Sequence, residues 1–255
     1  MRARKEHETR GAAPRRRPRR DRRRDATATR EALLAAAAEL FAERGYDGVA
    51  VWTIAAKAGV NKALISYHFG GKRKLYRAIV DQTFAEIVSR VESLAESQRP
   101  APELLRQLAA DVAELATRRR PHFCTMMLRE VLAGGKHLEP AAVAMPGRVL
   151  AAVERIVERG VREGTLRRVD PLLTHLSLVG SLVFYFAAAP FRERVLAAEH
   201  RAVRPDNSAY VRHVQDLITY GLVARNLGLE SGHERKASRR IGRSARNAHR
   251  VGAGA

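Results

Sequence analysis

The sequence predicts an all-α fold, and three observations carry that prediction. Apolar residues recur at steps of three and four along most of the chain. Prolines and glycines fall at the ends of those runs, and no alternating apolar–polar run bounded by turn residues occurs. Apolar residues make up 45% of 255, enough to bury a sizeable core. A prior of roughly 150 residues per domain allows one or two domains.

The first helix is expected over about 29–44, with Leu33, Leu34, Ala37, Leu40 and Phe41 on one face. Thr27 or Thr29 would cap it, and Gly45 would end it. Two short helices follow, near 51–58 and 61–68, separated by Ala58-Gly59-Val60. A long helix over about 72–97 repeats Leu75, Ile79, Phe84, Ile87, Val91 and Leu94, a buried stripe, until Arg99-Pro100-Ala101-Pro102 breaks it. Further helices are expected over 103–117, 121–132 and 141–163, with Pro121 in a first turn and Gly164 as a stop. Asp170-Pro171 reads as an N-cap followed by N1, opening a helix that Pro190 closes. The last helix, about 207–227, carries Val211, Val214, Leu217, Ile218 and Leu222 and stops at Gly228.

The chain holds 47 Lys and Arg against 27 Asp and Glu, a net charge of +20. That balance excludes an acidic binding protein and points to nucleic acid or an anionic surface. Residues 1–25 carry +8, residues 230–255 carry +5, and the long middle only +7. Both end segments lack the apolar residues needed to offset chain entropy and are expected to be disordered. The Arg-rich start reads either as an arm along DNA phosphates or as a solvated run ahead of the true start codon.

One cysteine, Cys124, excludes a disulfide framework and a multi-cysteine metal site, and the histidines lack metal-ligand spacing. His122 and Cys124, two apart on a helix, point about 200° apart and make no nucleophile–base pair, so neither catalysis nor a cofactor is expected. The longest apolar stretch, Leu176 to Phe191, is interrupted by Ser177, Gly180 and Ser181 and is too short for a membrane helix. No apolar run precedes Leu33, and acidic residues in the Arg-rich start argue against an organelle transit peptide. A cytoplasmic location is the expectation.

Two short helices crossing at a Gly-containing turn form a helix-turn-helix, whose second helix enters the DNA major groove. Ile54, Ala55, Ala58 and Val60 allow close crossing, and Ile65 and Phe69 anchor the second helix from behind. Asn61, Lys62, Ala63, Ser66 and Tyr67 then face outward. A helical hairpin without DNA is the competing reading.

Three phrases in order make the motif specific: Leu40-Phe41-Ala42-Glu43-Arg44-Gly45, Ile54-Ala55-Ala56-Lys57-Ala58-Gly59-Val60, and Tyr67-His68-Phe69-Gly70-Gly71-Lys72-Arg73-Lys74-Leu75. Over about 28–80 they resemble the N-terminal signature of the TetR family of bacterial transcriptional regulators. The resemblance implies a homodimer with an N-terminal DNA-binding domain and a larger helical effector-binding and dimerisation domain. It also implies release from double-stranded DNA, at a palindromic operator, when a small molecule binds. On that basis the domains are 1–25 tail, 26–76 helix-turn-helix domain, 77–229 ligand-binding and dimerisation domain, and 230–255 tail. Carried over by position, Thr53, Asn61, Lys62, Ala63, Leu64, Ser66, Tyr67, His68 and Lys72 are the DNA-contact residues. Lys62, Ala63, Leu64 and Tyr67 would look toward bases, and Ser66, Tyr67, His68 and Lys72 toward phosphates. Lys72 opens the next helix, whose N–H groups also favour an anion. The sequence departs from the family at Ala50, where a Ser or Thr cap is common, at Trp52, and at Ser66, where Tyr is common.

For the effector, His122, Met126, Arg129, His175, Phe184 and Tyr185 are the candidate pocket residues, being polar or pliable groups within apolar runs. The competing reading is ordinary core, with Arg129 and Glu130 as a partly buried ion pair. The faces of 171–189 and 207–227 are too apolar for a monomer and predict a symmetric four-helix dimer contact. The alternatives within DNA binding are a regulator without a small-molecule inducer and a nonspecific nucleoid-coating protein.

Overall fold

The computed structural model describes residues 19–200 and 206–223, and every element among them is helical. The expected tails fall mostly outside the described residues, and the described part of the first, 19–25, is helical rather than disordered. One isolated antiparallel bridge joins Leu166 to Val223. No single described helix is long and apolar enough to cross a membrane.

Helix α1 spans Arg19–Arg44 and begins well before the expected Thr29. Arg and Ala are good helix formers, so the apolar stripe alone does not mark its start. The Thr29 hydroxyl donates to the Asp25 carbonyl at 2.7 Å, one turn back, and so sits inside the helix rather than capping it. Helices α2 (Val51–Lys57) and α3 (Ala63–Phe69) are the expected short pair, and α4 (Lys72–Glu96) is the expected long one. Helix α5 (Ala101–Glu114) continues as a π-turn over Leu115–Arg119, and α6 covers Phe123–Leu132.

The single helix expected over 141–163 is two, α7 (Pro140–Val143) and α8 (Met145–Arg162). Pro146 explains the break: a proline inside a helix lacks the N–H and clashes with the carbonyl four residues back, so it stands in the first turn of a new helix. Asp170 does cap α9 (Pro171–His175), its Oδ1 accepting from Leu173 N at 2.9 Å. A π-turn, Leu176–Gly180, leads into α10 (Ser181–Ala187). Pro190 does not close that helix. It lies in the first turn of α11 (Ala189–Ala198), a helix that the apolar spacing does not predict and that is bent by 66° from the preceding segment. Helix α12 runs Asn207–Leu222.

Two cores form. One joins α1, α2, α3 and the start of α4 through Leu33, Phe41, Ile54, Ile65, Phe69 and Leu75, and reaches α6 at Phe123 and Met126. The other joins the end of α4 to α5, α8, α10 and α12. Gly160 permits that second packing: a Cβ there would stand 2.6 Å from Ala101 Cβ.

Candidate nucleic-acid interface

Helix α2 is short and starts without a side-chain cap, since Ala50 occupies that position in an extended conformation. Serine there would satisfy an orphan N–H, so Ala50→Ser is expected to stabilise by about 1 kcal/mol. In a chain of this size that is a rise of roughly 2–4 °C in the thermal midpoint, measurable by calorimetry. The turn after α2 passes through Gly59 at φ +66°, a left-handed conformation that glycine adopts without strain. Ile54, Ala55, Ile65 and Phe69 are buried behind the pair, as their spacing predicts.

The outer face of α3 and of the turn before it carries Asn61, Lys62, Ala63, Ser66 and Tyr67, all exposed, with Tyr67 at 80%. Trp52 on α2 is also exposed, at 67%, and together they place two aromatic rings on the outward surface of the helix pair. Thr53 and His68 are half-buried, and the His68 ring meets Tyr67 edge-on at 5.0 Å. Three expected contacts have other work within the chain. Asn61 Oδ1 accepts from Ala63 N at 2.8 Å, in the turn that leads into α3. Leu64 is half-buried and packs on the core. Lys72 Nζ lies 4.3 Å from the centre of the Tyr46 ring, and burial holds its pKa below the usual lysine value against the opposing pull of Asp47. Lys74, exposed near the start of α4, is a basic group that the sequence motif does not single out.

A cavity of about 440 Å³ lies between α4, α5, α6, α8 and the π-turn after α9. Its walls are apolar, with Phe84, Ile87, Leu108, Phe123, Met127 and Val179 among them. Of the six expected pocket residues, His175 alone lines it. His122 and Met126 line a separate groove beside α1. Met126 is core, and its neighbour Met127 faces the cavity instead. Tyr185 stacks on Tyr210 at 3.7 Å with Arg192 over it at 3.8 Å, and Phe184 is 63% exposed.

Arg129 and Glu130 do not pair with each other. Arg129 donates from Nε to Ala42 O and from Nη2 to Glu43 O, each at 2.8 Å, and ties α6 to the end of α1. Glu130, 3% exposed, lines the cavity and accepts from the Tyr76 hydroxyl at 2.7 Å. Burial, then this carboxylate, pushes the Tyr76 phenol above its ordinary pKa, which keeps it a donor. Glu130 Oε1 also lies 2.8 Å from His137 Nδ1, and His137 Nε2 lies 3.2 Å from Asp47 in the α1–α2 turn. Lys136 Nζ reaches the same Asp47 at 2.9 Å, and Arg73 reaches Glu139 at 2.8 Å. Gly134 and Gly135, both at positive φ, let the chain turn from α6 into this segment. The Gly-Gly pair followed by Lys-His was the available sequence signal for it.

Residues 33–79 match the model of bacterial regulatory proteins of the tetR family, and 100–218 match the tetracyclin repressor-like C-terminal domain. The chain belongs to the TetR family. It is 26% identical over 197 residues to the HTH-type transcriptional repressor NicS of Pseudomonas putida, covering 76% of this chain and 92% of that protein. It is 26% identical over 196 residues to the HTH-type transcriptional regulator RutR of Escherichia coli K12, covering 77% and 91%. The crystal structure of the TetR family regulator PfmR from Thermus thermophilus superposes with a TM-score of 0.59 at 27% identity, covering 74% of this chain and 95% of that one. TetR-family proteins are DNA-binding transcriptional regulators rather than enzymes, and this chain is one of them.

Proposed function

We propose that the protein is a homodimeric repressor that leaves a palindromic operator when a small molecule fills the cavity between α4, α5, α6 and α8. One observation carries the mechanism: the segment 129–139 both lines that cavity and grips the DNA-binding helices. Glu130, Gly134, Gly135 and Leu138 lie on the cavity side. Arg129, Lys136, His137 and Glu139 bond to the end of α1, the α1–α2 turn and the start of α4. A ligand that displaces this segment therefore moves α1 and the α1–α2 turn, and with them the recognition helix. Binding then favours a dimer whose two recognition helices no longer match successive major grooves, a population shift between two states.

The second copy meets the faces of α9–α10 and α12. Leu173, Leu176 and Phe184 are exposed along the first, and Leu217 and Tyr220 along the second. A two-fold axis through these four helices sets the two recognition helices for half-sites one helical turn or somewhat more apart. The protein acts in the cytoplasm, at the nucleoid while bound to DNA.

The test is selection of bound genomic fragments by the purified full chain at about 150 mM salt, where phosphate-only binding is weakened. A single enriched palindrome is the expected result, and diffuse enrichment would favour a nucleoid-coating protein instead. Tyr67→Ala should lose the enrichment, its operator affinity falling roughly tenfold or more. Its thermal midpoint should stay unchanged, because Tyr67 supports no core.

A further inference from the structure

We propose that α3 reads its half-site through thymine methyl groups, packed against Ala63 and the Tyr67 ring, beside one guanine held by Lys62. The inference rests on reading α3 as the operator-recognition helix, and it names the bases that this helix can tell apart.

In the major groove each base suits a different side chain. Guanine offers two acceptors to Arg or Lys, adenine an acceptor and a donor to Asn or Gln, cytosine a donor to Asp or Glu, and thymine a methyl group to an apolar surface. Residues 61–69 run Asn-Lys-Ala-Leu-Ile-Ser-Tyr-His-Phe, with no Arg, Gln, Asp or Glu. Cytosine therefore has no partner on this helix. The candidate for adenine is Asn61, whose Oδ1 already accepts from Ala63 N at 2.8 Å. A bidentate contact needs that oxygen and the amide donors together, so reading adenine would cost the bond that leads into α3.

The side chains left facing outward are small or apolar. Ile65 and Phe69 are buried and Leu64 packs half-buried on the core, which fixes the opposite side of the helix. Ala63, Ser66 and Tyr67 stand at i, i+3 and i+4, so they share one face, and all three are exposed. Ala63 and Ser66 are short enough to let the backbone approach the base edges, where the Ala63 methyl group can meet that of a thymine. Ser66 can bond to any base and adds little discrimination. The Tyr67 ring is braced edge-on by His68 at 5.0 Å and offers a second apolar surface one turn further along. A ring this open to water gains by covering a methyl group.

Lys62, exposed and immediately before α3, is the one Lys or Arg within 61–69. Cations on the flanking helices are committed, Lys57 to Glu39 at 2.9 Å and Arg73 to Glu139 at 2.8 Å. The N-terminal residues of a recognition helix are those that meet base edges, so Lys62 is placed for O6 and N7 of a guanine.

The test uses the full chain and the palindrome recovered by the genomic selection, remade as duplexes altered at one position at a time in both half-sites. Deoxyuracil in place of thymine removes only the methyl group, and a 7-deazapurine removes only the N7 acceptor. At one or two thymines per half-site, deoxyuracil is expected to cut affinity about fourfold per methyl, so about fifteenfold for the symmetric pair. Ala63→Gly at one of those positions, and Tyr67→Ala at the other, should make the thymine and deoxyuracil duplexes bind alike, whatever each substitution does to overall affinity. One 7-deazaguanine should also weaken binding, and Lys62→Ala should abolish that difference. The inference is overturned if no deoxyuracil changes affinity by more than about twofold, or if the losses persist in both variants. It is equally overturned if 7-deazaadenine is the damaging change, which would give the readout to Asn61. A selection that recovers no palindrome would instead remove the operator reading itself.

Discussion

Leu217→Asp is expected to convert the protein to a monomer and to reduce operator affinity by at least about a hundredfold. Leu217 is 59% exposed on α12, beside a groove lined by Leu173 of α9 and Ser181 of α10. In a symmetric contact the substitution appears twice near the axis, so two carboxylates would lose water in an apolar interface and repel each other. A recognition helix freed from its partner keeps its own contacts but loses the effective concentration that links two half-sites, a factor of roughly 10²–10⁴. Because Leu217 is exposed, the helical content of the subunit should not change. Light scattering at micromolar concentration with circular dichroism separates the two effects. A dimer that persists with unaltered operator binding would place the two-fold contact elsewhere.

The helix-turn-helix was legible because its signal is local. Gly59, the buried Ile54, Ile65 and Phe69, and the aromatic run into Lys72 all lie within one stretch of the chain, and their spacing alone sets which side faces out. Side-chain assignments within it were less legible. Asn61 and Lys72 are drawn into the fold by Ala63 N and by the Tyr46 ring, partners that residue type does not announce.

The cavity was least legible, for a geometric reason. Its walls come from helices far apart in sequence, and one step along a helix turns a side chain by about 100°. That step separates Met126 in the core from Met127 in the cavity wall. It also separates Arg129, aimed at the carbonyls of α1, from Glu130, aimed inward at Tyr76, so two neighbours that read as an ion pair serve different partners. Proline positions were visible in the sequence, but their sense was not. Pro146 and Pro190 both start helices, and only knowledge of the preceding turn distinguishes a start from a stop.

Glu130→Ala should have the largest effect on stability, a loss of about 3 kcal/mol. The carboxylate is the shared acceptor of the Tyr76 hydroxyl and the His137 ring, and both lose their partner when it is removed. Buried groups left without a hydrogen bond keep their full desolvation cost, which is why truncation is more damaging than the net value of the bonds suggests. The thermal midpoint should fall by roughly 6–12 °C in a chain of this size. Glu130→Gln is the informative companion, since its amide oxygen can still accept from Tyr76 while the charge facing His137 is gone. It should fold with a smaller loss yet hold His137 and Asp47 less firmly, so that the α1–α2 turn is freed from the cavity wall. The expected signature is operator binding near the wild-type level but a weakened release by effector, read as the ratio of operator affinities with and without ligand. A Glu130→Gln protein with a normal ratio would show that the signal travels through Arg129 and the α1 carbonyls instead, a route that Arg129→Ala would then interrupt.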